Sequence, residues 1–406
     1  MIYFDHNATT PLLPQARQAW LEATENLIGN PSSPHRIGGR ADAAITAARE
    51  QIAGFLGCDS LDIVWTSGAT ESNNTVIHHF ARALDAGAEV LISAIEHPCV
   101  LSATRHYFPE RHRLIPVTRG GVVDLHWLVE EMAHRRPGLV SIMAANNETG
   151  VLQPWREALA ICRQYDVPFF CDAAQWIGKL SAAGLGDCDF VSSAAHKFGG
   201  PKGVGFLKCP AKGSVEPLLR GGPQEEGRRA GTENVTGVLS MMAALRVREG
   251  ALAGAAQDGA PGIENHGRSS SSSCSSSKSK WPATVALRLS WRDRFVERLL
   301  KTVPGAELIG LGQSRLWNTV CALMPEAESQ QRWVVKLDKS GFAVSTGSAC
   351  SSGKEEPSHV LAAMGYPPSA AGRVLRFSSG WEATEDDWNA LLEGLQAVGR
   401  AMTAAH

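Results

Sequence analysis

Between residues 60 and 210, short apolar runs rich in β-formers alternate with amphipathic stretches, and this alternation restricts the fold more than any other feature. The runs are "DIVWT", "EVLIS", "GLVSIM", "VPFFCD" and "DFVSS". Between them, "ESNNTVIHHFARAL" carries Val76, Ile77, Phe80, Ala81 and Leu84 at helical spacing, and "EALAICRQY" repeats the pattern with Leu159, Ile161 and Cys162. Strands that alternate with helices predict a mostly parallel sheet covered by helices on both faces.

The ends of those runs carry the chemistry. "DIVWT" leads into Ser67-Gly68-Ala69-Thr70, "EVLIS" into Glu96-His97, and "GLVSIM" into Asn146-Asn147-Glu148. "VPFFC" ends on Asp172 with Gln175 just beyond, and "DFVSS" leads into His196-Lys197. Open α/β sheets bind ligands at the carboxyl ends of their strands. One polar residue there is an ordinary loop cap; five strands delivering such groups together predict a site.

From about residue 285 the texture changes. "WRDRFVERLLKTV" reads as a helix, and "WNTVCALM" and "FAVST" read as strands. "TEDDWNALLEGLQAVGRAM" reads as a helix with Thr384 as its N-cap and acids in its first turn. This predicts a second, smaller α+β domain. The expected division is an N-terminal segment (1–15) packing with the small domain, a large domain (16–250), an insertion (251–284) and a C-terminal domain (285–406). In the insertion, nine of the eleven residues from 269 to 279 are serine. Such a stretch buries too little apolar surface to order itself, so a disordered surface segment is expected.

Composition narrows the function classes. With 406 residues and 44% hydrophobic content the chain supports more than one domain. A formal net charge of −2 suggests no polyelectrolyte partner, so direct nucleic-acid binding is not expected. The start, "MIYFDHNATTP", lacks a basic region followed by an apolar run, and no apolar stretch is long enough to span a bilayer. Nine cysteines without a CxxC pair favour neither a disulfide framework nor a zinc ribbon and suggest a reducing cytoplasm. One of them, Cys350, sits in "TGSACSSGK" among small and hydroxylated residues, the setting of a thiol that must be reached or must move.

Lys197 follows a strand and precedes a glycine-rich turn in "HKFGGPKGVG". It reads as a surface charge, a phosphate ligand or a Schiff-base lysine. Pyridoxal phosphate needs such a lysine, a carboxylate facing its pyridine nitrogen, a phosphate cup and a cover for its ring. Asp172, the helix start at Ser67–Thr70 and His97 supply candidates for the last three, and Gln175 for the ring hydroxyl.

The stretches "YFDHNATTP", "GNPSSPHRIG", "TSGATESNN", "IEHPCVL", "ANNETGVLQP", "DAAQWIGK", "HKFGGPKGVG", "RAGTENV", "STGSACSSG" and "LRFSSG" cover nearly the whole chain outside residues 250–290. In that order they resemble the cysteine desulfurases, in the subgroup with the longer mobile cysteine loop. The resemblance implies a fold-type-I pyridoxal-phosphate transferase, a homodimer, L-cysteine as substrate and a protein that accepts or scaffolds the sulfur. It implies Lys197 as the Schiff-base lysine, His97 as the stacking acid–base residue, and Asp172 on the pyridine nitrogen. It places Asn147 and Gln175 near the ring oxygen, Asn147 also near the substrate carboxylate, and Ala69, Thr70 and His196 on the phosphate. Thr232 of one subunit would reach the phosphate of the other, and Arg376 would hold the substrate carboxylate. Cys350 would take the sulfur as a persulfide, for iron–sulfur cluster assembly or tRNA thiolation; no resident metal is implied, though Cys350 could transiently ligate a cluster. The alternatives are a selenocysteine lyase or another β-eliminating enzyme, and a decayed, non-catalytic scaffold. One departure bears on the site: the family's serine three residues before the lysine is Ala194 here.

Overall fold

The computed structural model describes residues 1–211, 215–257, 283–326, 332–346 and 358–403. The five apolar runs form β2 (Ile63–Thr66), β3 (Val90–Ser93), β5 (Leu139–Ser141), β6 (Phe169–Asp172) and β7 (Phe190–Ala194). With β4 (His112–Ile115) and β8 (Gly205–Lys208) they make one seven-stranded sheet, in the order β2-β8-β7-β6-β5-β3-β4. Strands β4, β3, β5, β6 and β7 run parallel, whereas β8 is antiparallel to both β2 and β7. Successive residues of each strand enter different cores. Phe169 and Cys171 join one apolar cluster and Phe170 the other; Val140 and Leu139 divide in the same way. The period of two therefore buries the sheet on both faces.

A second sheet, β12-β10-β9, is antiparallel and is built from β9 (Glu307–Leu308), β10 (Thr319–Leu323) and β12 (Val374–Ser378). At its side, β1 (Ile2–Tyr3) pairs in parallel with β11 (Phe342–Ala343), and Phe4 enters the same core as Phe295, Phe377 and Trp388. The chain start is thus part of the C-terminal unit. The helix Ala283–Thr302 joins both bodies: Val285 belongs to the large core, Phe295 and Leu299 to the small one. A further cluster lies between the sheets, where Ile95 and Met143, just past β3 and β5, meet Cys321, Leu323 and Val374.

The helix that begins at Val235 runs to Gln257, past residue 250, because "ALAGAAQ" contains good helix formers. The serine-rich run and Cys350 lie outside the described residues. Among the described residues, no helix is long and apolar enough to cross a membrane.

Candidate active site

The carboxyl ends of β2, β3, β5, β6 and β7 open onto one cavity of about 520 Å³. Ala69, Thr70, His97, Asn147, Asp172, Gln175, His196 and Lys197 all line it. Each is placed by a simple local cause. After β2 the chain turns through Gly68 at φ 148°, a conformation that favours glycine, into the helix Ala69–Ala83. Behind this turn, a Cβ on Gly205 would lie 2.6 Å from the Gly68 Cα, so β8 also needs glycine there. On its own side, a Cβ on Gly68 would meet nothing. The first-turn N–H groups of this helix have no intrahelical acceptors and suit an anion.

His97 caps the helix Pro98–Tyr107, which starts on a proline at its first position. Its Nδ1 accepts from the Cys99 N–H at 3.2 Å, and the Cys99 Sγ lies 2.9 Å from the same atom. With Nδ1 engaged as acceptor, the neutral ring carries its proton on Nε2. Burial lowers the pKa of His97, the Asp172 carboxylate works against that, and Lys197 adds to it. Asp172 ends β6 and is 4% exposed. Its Oδ2 accepts from Asn73 Nδ2 at 2.7 Å and its Oδ1 from the Ala174 N–H at 2.9 Å, so both oxygens are fixed.

Lys197 donates from Nζ to the carbonyls of Asn7 (2.7 Å) and Ala8 (3.0 Å). Next to it, burial and the Lys197 and Lys202 charges depress His196 to about 4, so its imidazole is neutral. The His196 Nδ1 lies 3.2 Å from Thr9 Oγ1.

Two of the expected residues stand elsewhere. Arg376 is 2% exposed and does not line the cavity: Nη1 donates to the Asn147 carbonyl at 3.0 Å and Nη2 pairs with Asp5 at 2.7 Å. Among the described residues its buried Nε–H has no partner. Thr232 is exposed and away from its own chain's cavity.

Some strand-end residues are structural. Asn146 bridges the Ile95 carbonyl and the N–H groups of Glu148 and Thr149. Glu96 is fully buried, accepts from the Met143 N–H and is pushed well above the carboxylate range by burial and Asp172. Other residues reach the site without standing out in the sequence: Asn73, which holds Asp172, and the cavity residues Cys99 and Lys202. Asn73 and Lys202 lie inside quoted motifs, but only pairing across the sheet shows what they touch. Beside the site, Trp381 packs edge-on against Trp317 at 4.7 Å and donates to the Gly178 carbonyl at 2.9 Å.

The chain matches the class-V aminotransferase family over residues 2–258. The cysteine desulfurase of Enterobacter agglomerans is 35% identical over 381 residues, 93% of this chain and 87% of its own. The cysteine desulfurase IscS of Dictyoglomus turgidum is 36% identical over 403 residues, 98% of this chain and 94% of its own. This chain belongs to the cysteine desulfurases. Among solved structures, a NifS-like protein from Rickettsia africae superposes with a TM-score of 0.81 at 29% identity, covering 98% of this chain and 99% of that one. SspA in complex with cysteine gives 0.75 at 27% identity, over 93% and 98%.

The desulfurase family uses pyridoxal 5′-phosphate, and the residues present fit it. The cavity holds an amine, a fixed buried carboxylate on a neighbouring strand, a flat imidazole, and a helix start with open space in front of Gly68.

Proposed function

We propose that this desulfurase converts L-cysteine to L-alanine and carries the sulfur away on Cys350. The observation that supports this best is the convergence of Lys197, Asp172 and His97 on one cavity. Bound pyridoxal phosphate supplies an electron sink, which labilises the substrate's Cα proton and its Cβ–S bond. Lys197 carries the cofactor, and its Nζ is aimed by the Asn7 and Ala8 carbonyls. Asp172, held by Asn73, would pair with the ring nitrogen. Gln175 and Asn147 take the ring oxygen. Ala69, Thr70 and His196 hold the phosphate, joined by Thr232 from a second copy in a homodimer. His97, neutral and with its proton on Nε2, would cover the ring and exchange protons with the substrate. Arg376 binds the substrate carboxylate, with Asn147 beside it.

The Cys350 thiolate attacks the substrate sulfur. The Cβ–S bond breaks, its electron pair takes up a proton, and alanine leaves a persulfide on Cys350. Buried thiols elsewhere support this assignment. Cys99 lines the cavity, but burial and Asp172 push it up to about 12; Cys162 and Cys321 are also pushed to about 12. These are thiols, not nucleophilic thiolates. A persulfide carrier suits a reducing cytoplasm and a protein acceptor that serves cluster assembly or tRNA thiolation. The test is release of sulfide and alanine from L-cysteine by the wild type, Cys350→Ala and Lys197→Ala. Both variants are expected to lose turnover; full turnover in Cys350→Ala refutes the persulfide route.

A further inference from the structure

Lys179 is an amine the reaction above does not use. It is 3% exposed, yet among the described residues its Nζ has no carboxylate partner; it donates to Asn7 Oδ1 at 2.8 Å and to Gln175 Oε1 at 2.5 Å. Burial, with Lys197 and Arg376 adding to it, holds its pKa well below the usual lysine range. A buried amine on two amide oxygens is costly unless it settles something.

What it settles is the direction of both amides. An amide oxygen that accepts from Lys179 forces the amide nitrogen to the opposite side. For Gln175, that nitrogen then donates to the Asn7 carbonyl at 2.9 Å and keeps a second N–H. For Asn7, it donates to Thr319 Oγ1 at 2.9 Å and to the Asn147 carbonyl at 3.2 Å. The Asn7 carbonyl that receives Gln175 also receives Lys197, and the Asn147 carbonyl also receives Arg376. Asn7 is thus the junction between the cofactor lysine and the substrate clamp, and Lys179 and Asn318, which both donate to its Oδ1, set its orientation.

We propose that Lys179 is a positioning residue: it locks the Gln175 and Asn7 amides so that Gln175 presents N–H, not oxygen, to the cofactor's ring hydroxyl oxygen. The inference rests on the reading of Gln175 as the partner of that oxygen. Without Lys179, the Gln175 amide is free to turn its oxygen toward an oxygen, which repels.

The test is a double-variant cycle on the dissociation constant of pyridoxal phosphate, titrated into full-length apoenzyme, with Lys179→Met and Gln175→Leu. Lys179→Met is expected to weaken binding about tenfold. In the Gln175→Leu background the same change is expected to cost much less than in the wild type, because only the Asn7 amide is left to orient. A purely structural lysine instead gives losses that multiply in the double variant, and that result overturns the proposal. An unchanged constant in Lys179→Met alone overturns the role of Lys179. An unchanged constant in Gln175→Leu alone overturns the assignment of Gln175, and the inference with it. If Lys179→Met does not fold, Lys179→Gln, which keeps one donor, carries the same cycle with a smaller expected loss.

Discussion

Replacing Ala194 by serine tests the phosphate end of the cavity. Ala194 ends β7, lines the cavity and pairs with Gly205, on which the Gly68 turn rests. A hydroxyl here would stand beside the helix start proposed to cup the phosphate. The two serines before it do not replace it. Ser193 faces the other side of the sheet by strand alternation, and Ser192 shares the face of Ala194 but lies about 7 Å back along the strand. Both hydroxyls are fully buried and have no hydrogen-bond partner. A hydrogen bond to a charged group is worth about 1.5–3 kcal/mol. Ala194→Ser is therefore expected to tighten pyridoxal-phosphate binding roughly 10- to 150-fold. The assay is titration of apoenzyme followed by absorbance, with Ser192→Ala as control, for which no change is expected. An unchanged constant in Ala194→Ser, or a weakened one in Ser192→Ala, refutes the reasoning.

Asn73→Ala removes the donor to Asp172 Oδ2 and should cost about 1.5–3 kcal/mol of apoenzyme stability in urea unfolding; an unchanged midpoint counts against Asn73 as the support of Asp172. Thr384 and Asp387 cap the last helix reciprocally, so Thr384→Ala should lower stability by about 1 kcal/mol, read as a shift in urea midpoint. Glu148 is buried against Ser358 Oγ at 2.5 Å, and burial raises its pKa from the ordinary 4.5 to about 7. The folded state therefore holds a proton that the unfolded state has lost between pH 4.5 and 7. Stability from this group is full below 4.5 and declines as pH rises to about 7, by up to roughly 3 kcal/mol. Glu148→Gln should remove that decline, so the stability difference between wild type and variant should fall across this window; parallel pH profiles contradict it.

Strands β2, β3, β5, β6 and β7 were legible because strands buried on both faces must be apolar along their whole length. The strands that escaped are those for which this condition fails. β4 is an edge strand with Arg113 and Leu114 exposed, so "HRLI" shows no apolar run. β8, "GFLK", begins on the glycine that Gly68 requires and follows a glycine-rich turn that masks it. At the site, residues just past a strand were readable because position alone gave them a role. Asn73 was not, since it sits on a helix whose apolar spacing explains its neighbours. Lys179 gains its partners only when the chain start folds back on it. Asn7 belongs to no regular element, and its seven hydrogen bonds with both halves of the molecule come only from tertiary structure.

The central claim is that sulfur passes through Cys350, and mass analysis of the protein after brief exposure to L-cysteine tests it most directly. The account predicts that the peptide containing Cys350 gains the mass of one sulfur atom, that the gain disappears on reduction, and that Lys197→Ala shows none. Alanine formed at the wild-type rate with no added sulfur on Cys350, or with the sulfur found on Cys99 instead, contradicts it.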